Sequence, residues 1–507
     1  MVENTIGRQW LDKYPDSDLR EKMEYLVEPD DCEPQEPIFD DLSELELFDP
    51  AAGSGHILVV GFDLLMEMYR ERGYTDREAV EQILTENLKG LEIDRRAAQL
   101  ARFALLMKAA QYDRRALDRD DLRPEVYAMP GPRDFSTSDL RAYLGDDVFD
   151  AHGAELKDAL DLIAEHGQNV GSALKMDLSD DARETVAQCV SEWDEKTQNG
   201  TAQLDEQALH QELRGYLKPL LLLVENYPAV AMNPPYMSRG QMNGALKNYA
   251  QNHYARSDGD LFAVFMEVGT RRTQSAGRLG MINQQSWMFL SSYEDLRMQV
   301  LDTTHIESMI HLGAGAFDEI GGEVVQSTAF VLQNKLPQEC TGTYFRLIDM
   351  SSSGDKQKAF EARQNRYSHV DQRDFEKIPQ SPIAYWVPPE VIAAYEANPL
   401  LEETSKPRVG LQTGDNSRFL RHWPEVSAAN VCFKKVSQGE AKEGNKRWFR
   451  YNKGGGRSRW YGNLNFVVDW KNNGREIKQY SGSYVRNESF YFKKGISFPK
   501  ISSSKFF

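Results

Sequence analysis

The stretch LELFDPAAGSGHILVVGFDLLMEMYRERGY constrains the fold of this chain more than any other. An apolar strand from Leu45 to Phe48 enters a turn held by Gly53 and Gly55, and a helix from about His56 to Arg72 comes directly after it. A strand that passes through a tight turn into a helix is half of a βαβ crossover, and such crossovers build parallel sheets. The pattern then repeats. Thr75 and Glu78 stand at capping-box spacing, LKGLEID reads as a second short strand, and Asp94 caps a helix over DRRAAQLARFALLMKAAQYD. Strand, helix, helix, strand, helix is the order of a parallel, doubly wound α/β sheet.

After an acidic and largely helical stretch at about 113–220, read as an insertion, the sheet resumes at YPAVAMNPPY. DLFAVFMEVGTRRTQ reads as a helix, and GRLGMINQQSWM, HIESMIHLG and QSTAFVLQN as strands. The expected organisation is an amino-terminal region over 1–45, a catalytic domain over 46–335, a connecting region over 336–400 and a second domain over 401–507. No internal repeat is visible.

The chain of 507 residues has a formal charge of −18, unevenly spread. From Lys434 to Phe507 there are 17 Lys/Arg against 5 Asp/Glu, so an acidic body carries a basic, aromatic-rich tail. Such a tail is either a polyanion-binding surface or a solvated basic region. No apolar run approaches the ~18 residues of a membrane span, and the four cysteines show neither CxxC nor zinc-ligand spacing. The cysteine usage points to a reducing cytoplasm and argues against structural zinc, so no metal site is expected.

Three strand ends carry chemistry. DPAAGSG (Asp49 to Gly55) is neither a dinucleotide fingerprint nor a phosphate-binding loop, and its acid suits a cationic ligand group. Glu92 closes the second strand, where a carboxylate can accept both hydroxyls of a ribose. A ribose joined to a positively charged amino acid is S-adenosylmethionine. At Asn233-Pro234-Pro235-Tyr236 two prolines end an apolar strand. As a bare tetrapeptide this is a turn or a site. After the other two motifs it is a place where the Asn233 oxygen and Pro234 carbonyl orient an exocyclic amine while Tyr236 stacks on its ring.

In that order, DPAAGSGHIL, GLEID and NPPY resemble the motifs of the γ group of amino-methylating DNA adenine methyltransferases. With SDGDLFAVFMEVGTRRTQ, IESMIHLGAGAFDEIGGEVVQSTAFVLQN, VGLQTGDNSRFLRHWPEV and YFKKGISFPKISSSKFF, the chain looks most like the adenine-specific methyltransferase of BREX phage-defence systems, the PglX type. The resemblance implies a Rossmann-like, S-adenosylmethionine-dependent sheet with a helical insertion, then the start of a mixed target-recognition domain. It implies methylation of adenine N6 in double-stranded DNA after base flipping, with other BREX components or a phage inhibitor as partners and no membrane. Carried over by position, Asp49, Ala51, Gly53, Gly55 and Glu92 hold the cofactor. NVGSALKMD offers Ser172, Leu174 or Asp177 for its adenine, with Asp177 taken. Asn233, Pro234, Pro235 and Tyr236 are catalytic. Phe317 stands where the family keeps an aromatic against the flipped base, or is an ordinary core residue. Lys446, Arg447, Arg450, Lys453, Arg457 and Arg459 face phosphates, and Gly410 to Asn416 form a nest of unassigned role.

The family's Phe-Thr-Pro segment ahead of its first motif has no counterpart, and MVENTIGRQWLDKYPDSDLR resembles the family's stretch immediately after that segment. The sequence therefore reads as the middle of a larger protein, truncated at both ends. Three other readings stay open: methylation of a protein glutamine, a bifunctional restriction–modification enzyme, and a non-catalytic binding module.

Overall fold

The computed structural model describes residues 1–30, 35–119, 122–316, 325–336, 341–434, 436–453, 462 and 464–495. Two units emerge, Met1–Ala397 and Asn398–Phe507.

Among the described residues the first unit is built on nine strands: β1 Leu47–Asp49, β2 Leu88–Glu92, β3 Glu125–Ala128, β4 Tyr227–Met232, β5 Thr273–Gln284, β6 His305–Ala314, β7 Gln326–Gln333, β8 Gly342–Arg346 and β9 Arg366–Val370. They lie in the order β3-β2-β1-β4-β5-β7-β6-β8-β9. From β3 to β5 every neighbouring pair is parallel. Every residue of β4 is buried, as a central strand covered on both faces requires.

The helices begin where capping chemistry places them. Thr75 and Glu78 close a reciprocal capping box before Asp76–Gln82, and the Asp94 carboxylate accepts the Arg96 amide at the start of Arg95–Ala109. The helix His56–Glu71 leaves the glycine turn and buries Leu58, Phe62, Leu65 and Met66 against β1 and β2.

Two parts of the sheet differ from the expected parallel one. β7 is antiparallel to both β5 and β6, so the sheet is mixed. Only residues 315–325 join β6 to β7, too few for the helical crossover that a parallel pair needs. β3 falls inside the stretch read as a helical insertion and pairs in parallel with β2. The helices of that stretch come after it, at Thr137–Leu144, Asp146–Val170, Asp180–Gln198 and Leu204–Val224.

The first residues belong to this unit's core. In the helix Ile6–Lys13, Ile6 and Trp10 are fully buried and the Gln9 amide donates to the Pro228 carbonyl. Asp12 meets the buried Arg278 at 2.6 Å, and the same guanidinium binds Glu307 through two nitrogens at 2.8 Å each. Burial pushes the Glu307 carboxyl up, but Arg278 more than reverses this and holds it below the usual range.

The second unit carries β10 Leu420–His422, β11 Val431–Cys432, β12 Trp448–Tyr451 and β13 Phe466–Asp469, in the order β10-β13-β12-β11. The helices Gln438–Glu443 and Lys471–Gln479 cover one face and bury Phe419, Phe449, Val468 and Ile477. Among the described residues no helix is long and apolar enough to cross a membrane.

Candidate active site

Register brings the three strand ends together. Asp49 lies level with Gly90, and Phe48 with Val230, so Glu92 and Asn233 each stand two residues beyond the level of Asp49. They belong to the strands on either side of β1, about 10 Å apart at ~4.8 Å per strand. Strand order reverses between β1 and β4, which opens the crevice where doubly wound sheets bind ligands.

The glycine loop is pinned to β2 by the Ala52 amide, which donates to the Leu91 carbonyl at 3.0 Å. Gly53 and Gly55 take φ of 54° and 85°. A Cβ on Gly55 would lie 2.9 Å from that of Ala101, so the loop packs against the helix Arg95–Ala109 with no room for a side chain.

Asp49 is 1% exposed. Its Oδ1 accepts the Ala51 amide at 3.0 Å, while Oδ2 is buried with no partner among the described residues. Burial pushes this carboxyl up to about 7; the Ala51 N–H opposes the shift and the nearby Glu92 adds to it. Glu92 is better satisfied. Its Oε2 accepts the Gly53 amide at 2.8 Å, and its Oε1 accepts those of Ile93 and Asp94 at 2.9 and 3.0 Å. A carboxylate offers about four acceptor positions, so one remains for a ribose hydroxyl rather than the two expected. The orphaned Asp49 Oδ2 and the free Glu92 position fit a ligand that presents an ammonium and a ribose.

Ser172 covers the loop. Its buried hydroxyl donates to the Pro50 carbonyl, and a Cβ on its neighbour Gly171 would meet Ile93 at 3.5 Å. Of the three residues offered by NVGSALKMD, Ser172 is the one hydrogen-bonded to the glycine loop. Asp177 is not brought to the site: its side chain is 76% exposed, and Arg271 and Arg272 hold the carboxylate at 2.6 and 3.5 Å.

At the end of β4 the Asn233 side chain is exposed, Pro234 is buried and Tyr236 is half-buried. The Tyr236 hydroxyl lies 3.3 Å from the Ile282 carbonyl and 3.4 Å from Asn233 Oδ1, and its ring meets Phe262 edge-on at 6.2 Å. Burial pushes this phenol up to about 12, with Asp260 contributing. Sequence reasoning missed Asp260. Its carboxylate accepts the Met237 amide at 3.0 Å and caps the helix Leu261–Arg272, fixing the chain just past the tetrapeptide. Its position before an apolar helical run was the available signal.

In the second unit the basic residues are not equivalent. Arg447 is paired with Asp469 at 2.7 Å, and the Lys446 amine donates to the Ala429 carbonyl. Arg450 and Lys453 lie over aromatic rings. Phe317, Arg457 and Arg459 fall outside the described residues.

The sequence is similar to those of known proteins. The Eco57I restriction-modification methylase family matches residues 86–317, and the DNA-methyltransferase domain of MmeI matches residues 31–129. Across its whole length the chain is 37% identical to the adenine-specific methyltransferase PglX of Lacticaseibacillus casei and 35% identical to the adenine-specific methyltransferase BrxX of Escherichia coli O9:H4. The chain is similar to these two methyltransferases over its own full length. It spans 44% and 43% of their lengths. Among solved structures, the Type ISP restriction-modification enzyme LlaBIII bound to DNA aligns with 64% of this chain and 20% of its own, at 13% identity and a TM-score of 0.40. The fold is α/β and Rossmann-like, with β7 as the antiparallel strand between β5 and β6.

Proposed function

We propose that this chain holds the catalytic centre of an S-adenosylmethionine-dependent methyltransferase that marks adenine N6 in double-stranded DNA within a BREX-type phage-defence system. The observation that carries the reading is the convergence of Asp49, Glu92 and Asn233 at one strand-end crevice. The catalytic domain is assigned to residues 46–335, with target recognition beginning after about residue 400.

Asp49 Oδ2 would receive the ammonium of the cofactor, the Gly53–Gly55 turn would admit its backbone-hugging end, and the free position on Glu92 would accept a ribose hydroxyl. When bound, the cofactor supplies a methyl group on a sulfonium whose departure leaves a neutral thioether. The chain has to orient a weak nucleophile, because the adenine amine is conjugated with its ring. Asn233 Oδ1 keeps a lone pair beyond the one facing the Tyr236 hydroxyl. The Pro234 carbonyl accepts no hydrogen bond among the described residues. These two acceptors hydrogen-bond the two amine hydrogens and favour the nitrogen lone pair as it localises; once the nitrogen–methyl bond has formed, the positively charged nitrogen sheds one proton to water. Flipping the base requires a few kcal/mol, which contacts elsewhere on the DNA must return.

Asn233→Ala removes one acceptor and leaves Asp49 and Glu92 untouched. Methyl transfer to duplex DNA should fall at least about a hundredfold, with calorimetric affinity for S-adenosylmethionine within a few-fold of the parent. Unchanged transfer, or loss of cofactor binding in this variant, would overturn the assignment.

A further inference from the structure

The second unit presents a feature that phosphate contacts alone leave unused. Residues from both edges of its sheet meet at one end. Trp423 comes just after β10 and Phe433 just after β11, strands at opposite edges, yet their rings lie edge to face at 5.9 Å. The connection between them crosses the face opposite the helices, where Val426 packs on Val431, Trp448 and Val467. Trp423 and Phe433 remain 45% and 41% exposed. The Arg450 guanidinium stands 5.7 Å over the Phe433 ring. Alongside, Lys453 Nζ lies 4.8 Å over Phe466, whose other neighbour is His422 at 4.4 Å. Among the described residues no carboxylate pairs with Arg450 or Lys453.

A duplex hides the faces of its bases and offers a protein only phosphates and base edges, for which cations and polar groups suffice. Exposed aromatic rings flanked by unpaired cations match a strand whose bases are free to stack and whose backbone is anionic. The segment from Lys434 onward, with 17 Lys/Arg against 5 Asp/Glu, supplies the complementary charge. We infer that this aromatic-cationic end of the second sheet binds unpaired nucleotides, stacking bases on Trp423 and Phe433 while Arg450 and Lys453 face the backbone. The inference rests on the reading of DNA as the substrate only for the choice of DNA over another polynucleotide.

The test uses the full chain and a fluorescently labelled oligodeoxythymidylate of about 20 nucleotides, with a duplex of equal length and heparin as comparators. Expected are binding of the oligonucleotide with quenching of tryptophan emission, and at least about a fivefold weakening for Trp423→Ala and for Phe433→Ala. Both rings are exposed, and circular dichroism with thermal unfolding, measured in parallel, reports that the variants fold. Oligonucleotide binding unchanged in both variants would overturn the inference. So would no oligonucleotide binding by the parent, or heparin and oligonucleotide losing affinity equally, because charge alone would then account for it. Failure of methyl transfer or cofactor binding, with ring-dependent oligonucleotide binding intact, counts against the proposed catalytic function and leaves this inference standing.

Discussion

Replacing Asp49 by Asn should change the pH dependence of stability in a direction opposite to that of an ordinary ion-paired carboxylate. In the folded chain burial keeps the Asp49 proton in place up to about pH 7. In the unfolded chain an aspartate loses it near pH 4. Between those limits the folded state binds more protons than the unfolded one, so stability falls as pH rises through the window and levels off above it. At ~1.4 kcal/mol per unit, a shift of this size amounts to about 4 kcal/mol across the whole window. Asn at the same place does not titrate. Urea unfolding of the ligand-free parent and Asp49→Asn at pH 5, 6, 7 and 8 should show the variant gaining on the parent by roughly 1 kcal/mol per unit up to pH 7, then running parallel. The absolute offset also contains the cost of a buried amide N–H, so the slope is the readout. Parallel curves from pH 5 to 8 would refute a buried, protonated Asp49. The same variant should bind S-adenosylmethionine at least about tenfold more weakly, because a charged partner for the ammonium is gone.

Arg278→Met should destabilise the first unit by about 3–5 kcal/mol, read by urea denaturation, because Asp12 and Glu307 would be left buried without their cation. Gly55→Ala combines a left-handed φ of 85° with a 2.9 Å approach to Ala101, and should lower both thermal stability and cofactor affinity as the loop shifts. Asp260→Ala removes a helix cap and the tether on Met237. It should cost about 1 kcal/mol in stability and reduce the rate constant for transfer more than it weakens cofactor binding.

The parts of the molecule that were legible in the sequence share a short range. The Thr75–Glu78 box, the Asp94 cap, the turn at Gly53 and Gly55 and the strand stop at Pro234 are all set by residues within about four positions of one another. What escaped depends on distant partners. β3 has only four residues, too short a run to stand out beside the helices after it, and it is a strand because β2 offers a parallel edge across Lys89 to Glu92. The direction of β7 could have been inferred from the shortness of 315–325, had chain length been weighed with the apolar pattern. Asp177 sits in a plausible motif, but helix Leu261–Arg272 presents two arginines that claim it. Nothing in local sequence signals a partner more than ninety residues away. The same holds for Arg447, which looks like a phosphate contact until Asp469 on the adjacent strand is paired with it.

The contrast between Asp49 and Glu92 arises from the same geometry. Both are carboxylates at adjacent parallel strand ends, and two negative charges so placed in a partly buried crevice oppose one another. The tie is broken by the backbone. Glu92 receives three amide hydrogens, from Gly53, Ile93 and Asp94, whereas Asp49 receives one, from Ala51. Burial with a single amide partner therefore keeps a proton on Asp49 up to about pH 7. A ligand bringing an ammonium to Asp49 Oδ2 displaces that proton, so binding should release protons most strongly at pH 6 and hardly at all at pH 8.5. Calorimetry of S-adenosylmethionine binding in buffers of different ionisation enthalpy measures that release directly. No release at pH 6 would show that Asp49 is already ionised in the free chain, and burial with one amide partner would then not suffice to hold its proton.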